Sequence, residues 1–204
     1  MTTLAPRNGL DRMRWLDEVR ALVEATDIAV GDAIVGTATP HLDRVLVGVS
    51  NAANYSRLWL ATAAAAAVVG GERGRRAACQ GVLAIALTST VTNLILKPLV
   101  RRQRPARSAG RTAPESRRIR RPVSSSFPSG HAASAFAFAS AMGQAAPGAR
   151  CPLRVAAATV AYSRVHLGVH YPSDVAVGAI IGNLCGWAVR RVAGGRGDRD
   201  AGHQ

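Results

Sequence analysis

Aromatic side chains make up only 4% of this 204-residue chain, and its 12 aspartates and glutamates are outnumbered by 26 lysines and arginines. The formal charge of +14 and a pI near 11.5 invite a nucleic-acid reading. The aromatic scarcity argues against it. Single-stranded partners are held by base stacking on aromatic rings, and the arginine-dense 101–121 segment contains none. Attraction to anionic lipid headgroups explains the same charge more simply. Cysteine is scarce too. Cys79, Cys151 and Cys185 are odd in number and form no close-spaced metal or redox motif, so they read as reduced packing residues and not as a disulfide framework. Near the N-terminus no continuous apolar run precedes a small-residue cleavage site, so membrane insertion is expected to rely on internal helices.

Charge is also missing locally. Residues 77–96 carry none, which is long enough to cross a bilayer core. The stretches 58–71 and 175–189 are likewise uncharged, 127–149 holds only His131, and 155–163 is apolar but short. These patterns predict five membrane helices, at 56–71, 77–99, 128–146, 152–165 and 173–192. The mean hydropathy of +0.09 conceals them because the charge is gathered in patches. Alanine-rich runs at 61–67 and 132–135 suit close helix packing, since helices in lipid gain no hydrophobic drive from meeting.

The first 55 residues differ. Leu10, Met13, Leu16, Val19, Leu22 and Val23 recur at helical spacing among charged residues, as in an amphipathic helix lying on a surface. The segment 28–49 either spans as a sixth helix or forms a second interfacial one, and Pro40 is expected to break it. The chain therefore divides into an N-terminal region at 1–55, a membrane-embedded core at 56–193 and a polar, disordered tail at 194–204. The fold class is all-α, a bundle of five to six membrane helices.

Three segments carry chemistry: Lys97-x6-Arg104-Pro105, Pro128-Ser129-Gly130-His131, and Ser163-Arg164-x5-His170-x3-Asp174. A phosphoryl group repels an incoming nucleophile, so its oxygens need fixed cations. Lys97, Arg104 and Arg164 can supply them, the arginines by bidentate pairing. His170 is a candidate nucleophile, with Asp174 four residues on to set its tautomer and stabilise its imidazolium. His131 can protonate the leaving oxygen near neutral pH. Pro128 suits a first helical turn, leaving N–H groups at Ser129 and Gly130 as an anion site. His166 lies within the third segment and reads as structural; His41 and His203 read as uninvolved.

Together these segments resemble the signature of the type 2 phosphatidic acid phosphatase superfamily, which includes bacterial acid phosphatases and vanadium haloperoxidases. The resemblance covers roughly 58–191 and fills every catalytic position. It implies a phosphohistidine at His170 assisted by Asp174, a general acid at His131, and a phosphoryl group held by Lys97, Arg104, Ser129, Gly130 and Arg164, with neither metal nor cofactor. It also implies an integral membrane phosphatase acting on a lipid phosphate, with polyprenyl diphosphate or phosphate ranked slightly above phosphatidic acid. The site is placed on the extracytoplasmic face of a bacterial cell membrane. Rival readings are a soluble acid phosphatase or haloperoxidase, and a lipid-phosphate-binding protein without catalysis.

Overall fold

The computed structural model describes residues 9–37, 39–105, 115–117, 119 and 123–201. Among them every regular element is a helix: α1 (Gly9–Val35), α2 (Pro40–Ala52), α3 (Arg57–Val69), α4 (Gly71–Thr90), α5 (Lys97–Val100), α6 (Gly130–Ala145), α7 (Arg150–His166) and α8 (Pro172–Ala201). The all-α expectation holds, and α3, α4–α5, α6, α7 and α8 fall on the five stretches predicted from missing charge. Most of the expected 101–121 loop lies outside the described residues.

Local chemistry sets the boundaries. Alanine-rich α3 ends at Gly70–Gly71, where Gly71 takes a φ of +57° that favours glycine. A π-helical stretch, Val91–Leu96, joins α4 to α5. Pro98 lies just beyond it; it has no N–H to donate and its ring crowds the carbonyl one turn back, a reason for the helix to widen there. Helix α1 ends at Val35 and α2 begins at Pro40, so the expected break falls where proline places it. Pro128, by contrast, lies outside α6. Ser129 is extended at the N-cap and the helix begins at Gly130. Helix α8 continues to Ala201, into the segment expected to be disordered.

Helix α6 is buried on nearly all sides, from Ala132 to Gly143, and packs against α4, α7 and α8. Its neighbours approach closely because small residues face it. A Cβ added at Gly182 on α8 would lie 2.2 Å from the Ala133 carbonyl oxygen, and Gly178 and Gly186 sit similarly close, one turn to either side. The 132–135 run packs as expected, whereas the 61–67 run is only half in the bundle: Ala63 is buried, Ala66 and Ala67 pack partly buried against the core, and Ala61, Ala64 and Ala65 are exposed.

The distribution of size is inverted relative to a water-soluble protein. The core is largely alanine, while Leu60, Val82, Leu83, Leu87, Val155, Ile180, Leu184 and Trp187 face outward. Large apolar side chains on the outside and small ones between helices suit lipid as the solvent. Among the described residues two helical stretches are long and apolar enough to cross a bilayer, Gly71–Val100 and Pro172–Ala193. Helix α1 leaves its apolar residues Leu10, Met13, Leu16 and Leu22 exposed, and its one buried side chain is Asp27.

Candidate active site

The ends of five helices converge on one cavity of about 510 Å³. Lys97 comes from the start of α5, Gly130 and His131 from the first turn of α6, Arg104 from the chain beyond α5, and His170 from the turn between α7 and α8. Asn54, Tyr55 and Ser56, at the entry to α3, close another side. Ser129, Arg164 and Asp174 are buried behind these residues. The structure thus brings all three sequence segments to one end of the bundle.

His170 sits between two kinds of partner. Arg104 Nη1 donates to His170 Nε2 at 3.1 Å and to the Val169 carbonyl oxygen at 2.8 Å. A guanidinium has no acceptor, so Nε2 carries the lone pair and Nδ1 the proton. That Nδ1 faces Asp174 Oδ2 at 3.6 Å, an ion-pair distance and too long for a hydrogen bond. Burial, then the charges of Arg164 and Arg104, push the His170 pKa down to about 4 against the pull of Asp174. At neutral pH the ring is therefore uncharged, with its free nitrogen aimed at the arginine that can receive a phosphoryl oxygen.

Asp174 is held from three directions. Its Oδ1 accepts from Arg102 Nη1 at 2.8 Å, its Oδ2 accepts from the Tyr171 N–H at 2.9 Å, and its backbone oxygen accepts from the Ser129 N–H at 3.0 Å. The last bond ties the start of α8 to the start of α6. Across the cavity, His131 Nε2 donates to Asn54 Oδ1 at 2.9 Å, and Lys97 Nζ donates to Asn93 Oδ1 at 2.8 Å. Arg164 Nη1 donates to Ser50 Oγ, while its backbone oxygen accepts from the N–H groups of Val169 and His170.

Among the described residues, five buried side-chain polar atoms have no hydrogen-bond partner, and three of them belong to this site: Ser129 Oγ, Arg164 Nε and His170 Nδ1. Unsatisfied buried donors are costly. Ser129 Oγ and Arg164 Nε, beside the first turn of α6 with its free N–H groups, suit an anion held by charge-assisted hydrogen bonds, whereas His170 Nδ1 faces Asp174.

His166 does not reach the cavity. Its Nε2 donates to Asp43 Oδ1 at 2.7 Å, and the same oxygen accepts from Arg117 Nε at 2.7 Å. All three side chains are buried. Arg117 also donates to the carbonyl oxygens of Val35 and Thr37, so this cluster joins the α1–α2 corner, the chain between the first two motifs, and α7. The structural reading of His166 is the one the geometry supports. Asp43→Asn leaves Arg117 without its buried counter-charge and is expected to cost about 3 kcal/mol, read as a fall in thermal unfolding temperature in detergent.

Sequence reasoning missed Asn54, Arg102, Asp27, Asp43 and Ser50. Each acts on a partner more than seventy residues away. No local signal marked Asp27 or Asp43, since Asp11, Asp17, Glu18, Glu24 and Asp32 lie in the same N-terminal region.

A model of the PAP2 superfamily matches residues 77–198. Decaprenylphosphoryl-5-phosphoribose phosphatase of Mycobacterium tuberculosis is 37% identical over 172 residues, covering 84% of this chain and 91% of that protein. Lipid A 4'-phosphatase of Bacteroides thetaiotaomicron is 38% identical over 121 residues, covering 52% and 51%. Two solved structures share the fold, each with a TM-score of 0.64 and 24% identity. They are the transmembrane PAP2-type phosphatidylglycerolphosphate phosphatase from Bacillus subtilis (84% and 86% covered) and Aquifex aeolicus LpxE (80% and 94%).

Proposed function

The chain belongs to the PAP2 superfamily and is a membrane lipid phosphatase of that family, and on that premise we propose that His170 attacks a lipid phosphate in a two-step, phosphohistidine route. The observation that carries this reading is the contact between Arg104 Nη1 and the unprotonated His170 Nε2, at 3.1 Å on the cavity wall.

In the first step the Nε2 lone pair forms the N–P bond as the P–O bond to the leaving group breaks. Arg104, Lys97 and the first-turn N–H groups of α6 hold the phosphoryl oxygens, and Arg164 adds its charge from behind. The Nδ1 proton stays on His170, and Asp174 stabilises the resulting cation. His131 enters the step as the imidazolium, which the negative charge of the bound phosphate favours, and gives its proton to the leaving oxygen. In the second step water attacks phosphorus, His131 takes its proton, the N–P bond breaks and phosphate departs.

The substrate proposed is a polyprenyl-linked phosphate or diphosphate, with phosphatidic acid second. The mycobacterial relative, similar over 84% of this chain, bears a decaprenylphosphoryl substrate in its name. The helices are proposed to cross the cell membrane several times, with the site at the extracytoplasmic end. The arginines at 73, 75, 76, 150, 154, 190 and 191 lie at the other end, where the positive-inside rule puts cytoplasm.

Detergent-purified protein tests the substrate reading directly. Phosphate release is compared among decaprenylphosphoryl-5-phosphoribose, undecaprenyl diphosphate, phosphatidic acid and phosphatidylglycerophosphate, each with and without EDTA. Fastest release from a polyprenyl substrate, unchanged by EDTA, is expected. Faster release from both glycerolipids removes the polyprenyl assignment, and EDTA inhibition removes the metal-independent route.

A further inference from the structure

Behind the His170–Asp174 pair lies a chain of charges that reaches the N-terminal helix. Arg102 uses its guanidinium as a fork. Nη1 donates to Asp174 Oδ1 at 2.8 Å and to Ser173 Oγ at 2.7 Å, while Nη2 donates to Asp27 Oδ2 at 2.7 Å. Asp27 Oδ1 accepts from the Ser173 N–H at 2.8 Å, so the same carboxylate also fixes the first turn of α8. The guanidinium carbon lies over the Tyr171 ring, 4.2 Å from its centre, a cation–π contact that helps hold the fork between its two carboxylates. Both carboxylates are buried, Asp27 at 2% and Asp174 at 0% exposure.

The arithmetic of charge gives this arrangement a consequence. With Asp174 alone, Arg102 would neutralise the carboxylate that must stabilise an imidazolium. With Asp27 on its other side, the three groups sum to one negative charge, and part of the guanidinium's pull is spent away from Asp174. We infer that Asp27, on α1, is a positioning residue for phosphoryl transfer: through Arg102 it orients the Asp174 carboxylate and preserves net negative charge behind His170. Helix α1 lies outside the 77–198 stretch that the family model matches, so this assigns a catalytic contribution to the N-terminal region of the chain. The inference rests on the phosphohistidine reading.

The test measures kcat and KM on two short-tailed probes, dioctanoyl phosphatidic acid and farnesyl diphosphate, in detergent. Asp27→Asn keeps the shape of the side chain and an oxygen for the Ser173 N–H but removes the charge. It is expected to lower kcat by about 10- to 100-fold, the range for groups that orient a reacting centre from behind, with KM within about twofold of wild type. In an Arg102→Ala background the same change is expected to have no further effect, because Asp27 acts through Arg102. Should Asp27→Asn unfold below the assay temperature, Arg102→Lys serves instead, since an ammonium cannot bridge both carboxylates; the same loss in kcat is expected. Unchanged kcat, a loss confined to KM, or losses that multiply in the double variant overturn the inference. A His170→Ala control separates the two levels: activity surviving there sinks the phosphohistidine reading itself, whereas loss there with unchanged Asp27→Asn sinks only the role of Asp27.

Discussion

Phosphate release by a His170→Ala variant is expected to fall by about 10⁴- to 10⁶-fold, the range for removal of a covalent nucleophile, while the protein stays folded. The side chain contributes little that the fold needs. Arg104 keeps the carbonyl oxygens of Val169, Ser124 and Ser125 as acceptors. Asp174 keeps Arg102 and the Tyr171 N–H. The 170 N–H still donates to the Arg164 carbonyl oxygen at 3.2 Å, and a buried Nδ1 that makes no hydrogen bond is removed. Melting temperature and detergent-phase elution close to wild type, beside lost turnover, are the expected pair of readings. Turnover within tenfold of wild type contradicts the assignment of the nucleophile.

The second large effect is structural. Leucine at Gly182 is expected to give no recoverable folded enzyme. The first atom of any side chain there would meet the Ala133 carbonyl oxygen at 2.2 Å and the Ala137 nitrogen at 2.9 Å. Both are backbone atoms of α6, so no rotamer change relieves the clash, and the cost exceeds the roughly 1–3 kcal/mol of ordinary overpacking. Separating α6 from α8 also pulls the Ser129 N–H from the Asp174 carbonyl oxygen, which parts His131 from His170. The internal comparison is Gly31→Ala on α1, where an added Cβ meets nothing within 4 Å; it is expected to stabilise by about 0.5–1 kcal/mol. Yield, monodispersity and thermal unfolding in detergent read both. A well-folded Gly182→Leu protein contradicts the close α6–α8 packing.

The contrast between these two positions bears on what the sequence disclosed. His170 was legible because its chemistry travels with close neighbours: Arg164, His170 and Asp174 lie within eleven residues, and the other two segments repeat the phosphate theme. The membrane helices were legible for an equally local reason, since a run without charge needs no knowledge of its neighbours. The Gly178, Gly182 and Gly186 series was equally visible, at a spacing that puts all three on one helix face, but reading it needs the identity of the facing helix. The alanines of 61–67 and 132–135 show the same limit. Both runs are small enough to pack closely, yet only the second lies at the centre of the bundle.

The N-terminal aspartates were the least legible. Charges interspersed with apolar residues suggest a helix at an interface, and that pattern treats Asp27 and Asp43 as solvated. Each is instead buried against an arginine from the chain beyond α5, Arg102 or Arg117. An arginine-rich stretch reads as one basic surface, and nothing local separates the arginines committed to buried carboxylates from those left to meet lipid or substrate. Long-range pairing across more than seventy residues decides it, and one sequence carries no record of that. Pro128 is a smaller case: its ring suits a first helical turn, but Ser129 takes the cap and the helix starts after it.

The proposed route passes through a covalent phosphate on His170. Detergent-purified enzyme mixed with the lipid phosphate it hydrolyses fastest, quenched in alkali within milliseconds and digested for mass spectrometry, tests it most directly. A phosphorylated peptide containing His170, base-stable and acid-labile, is predicted to form within one turnover and to be missing from His170→Ala. Turnover-competent enzyme that releases phosphate with no such adduct at any quench time, or with the adduct on another residue, contradicts it.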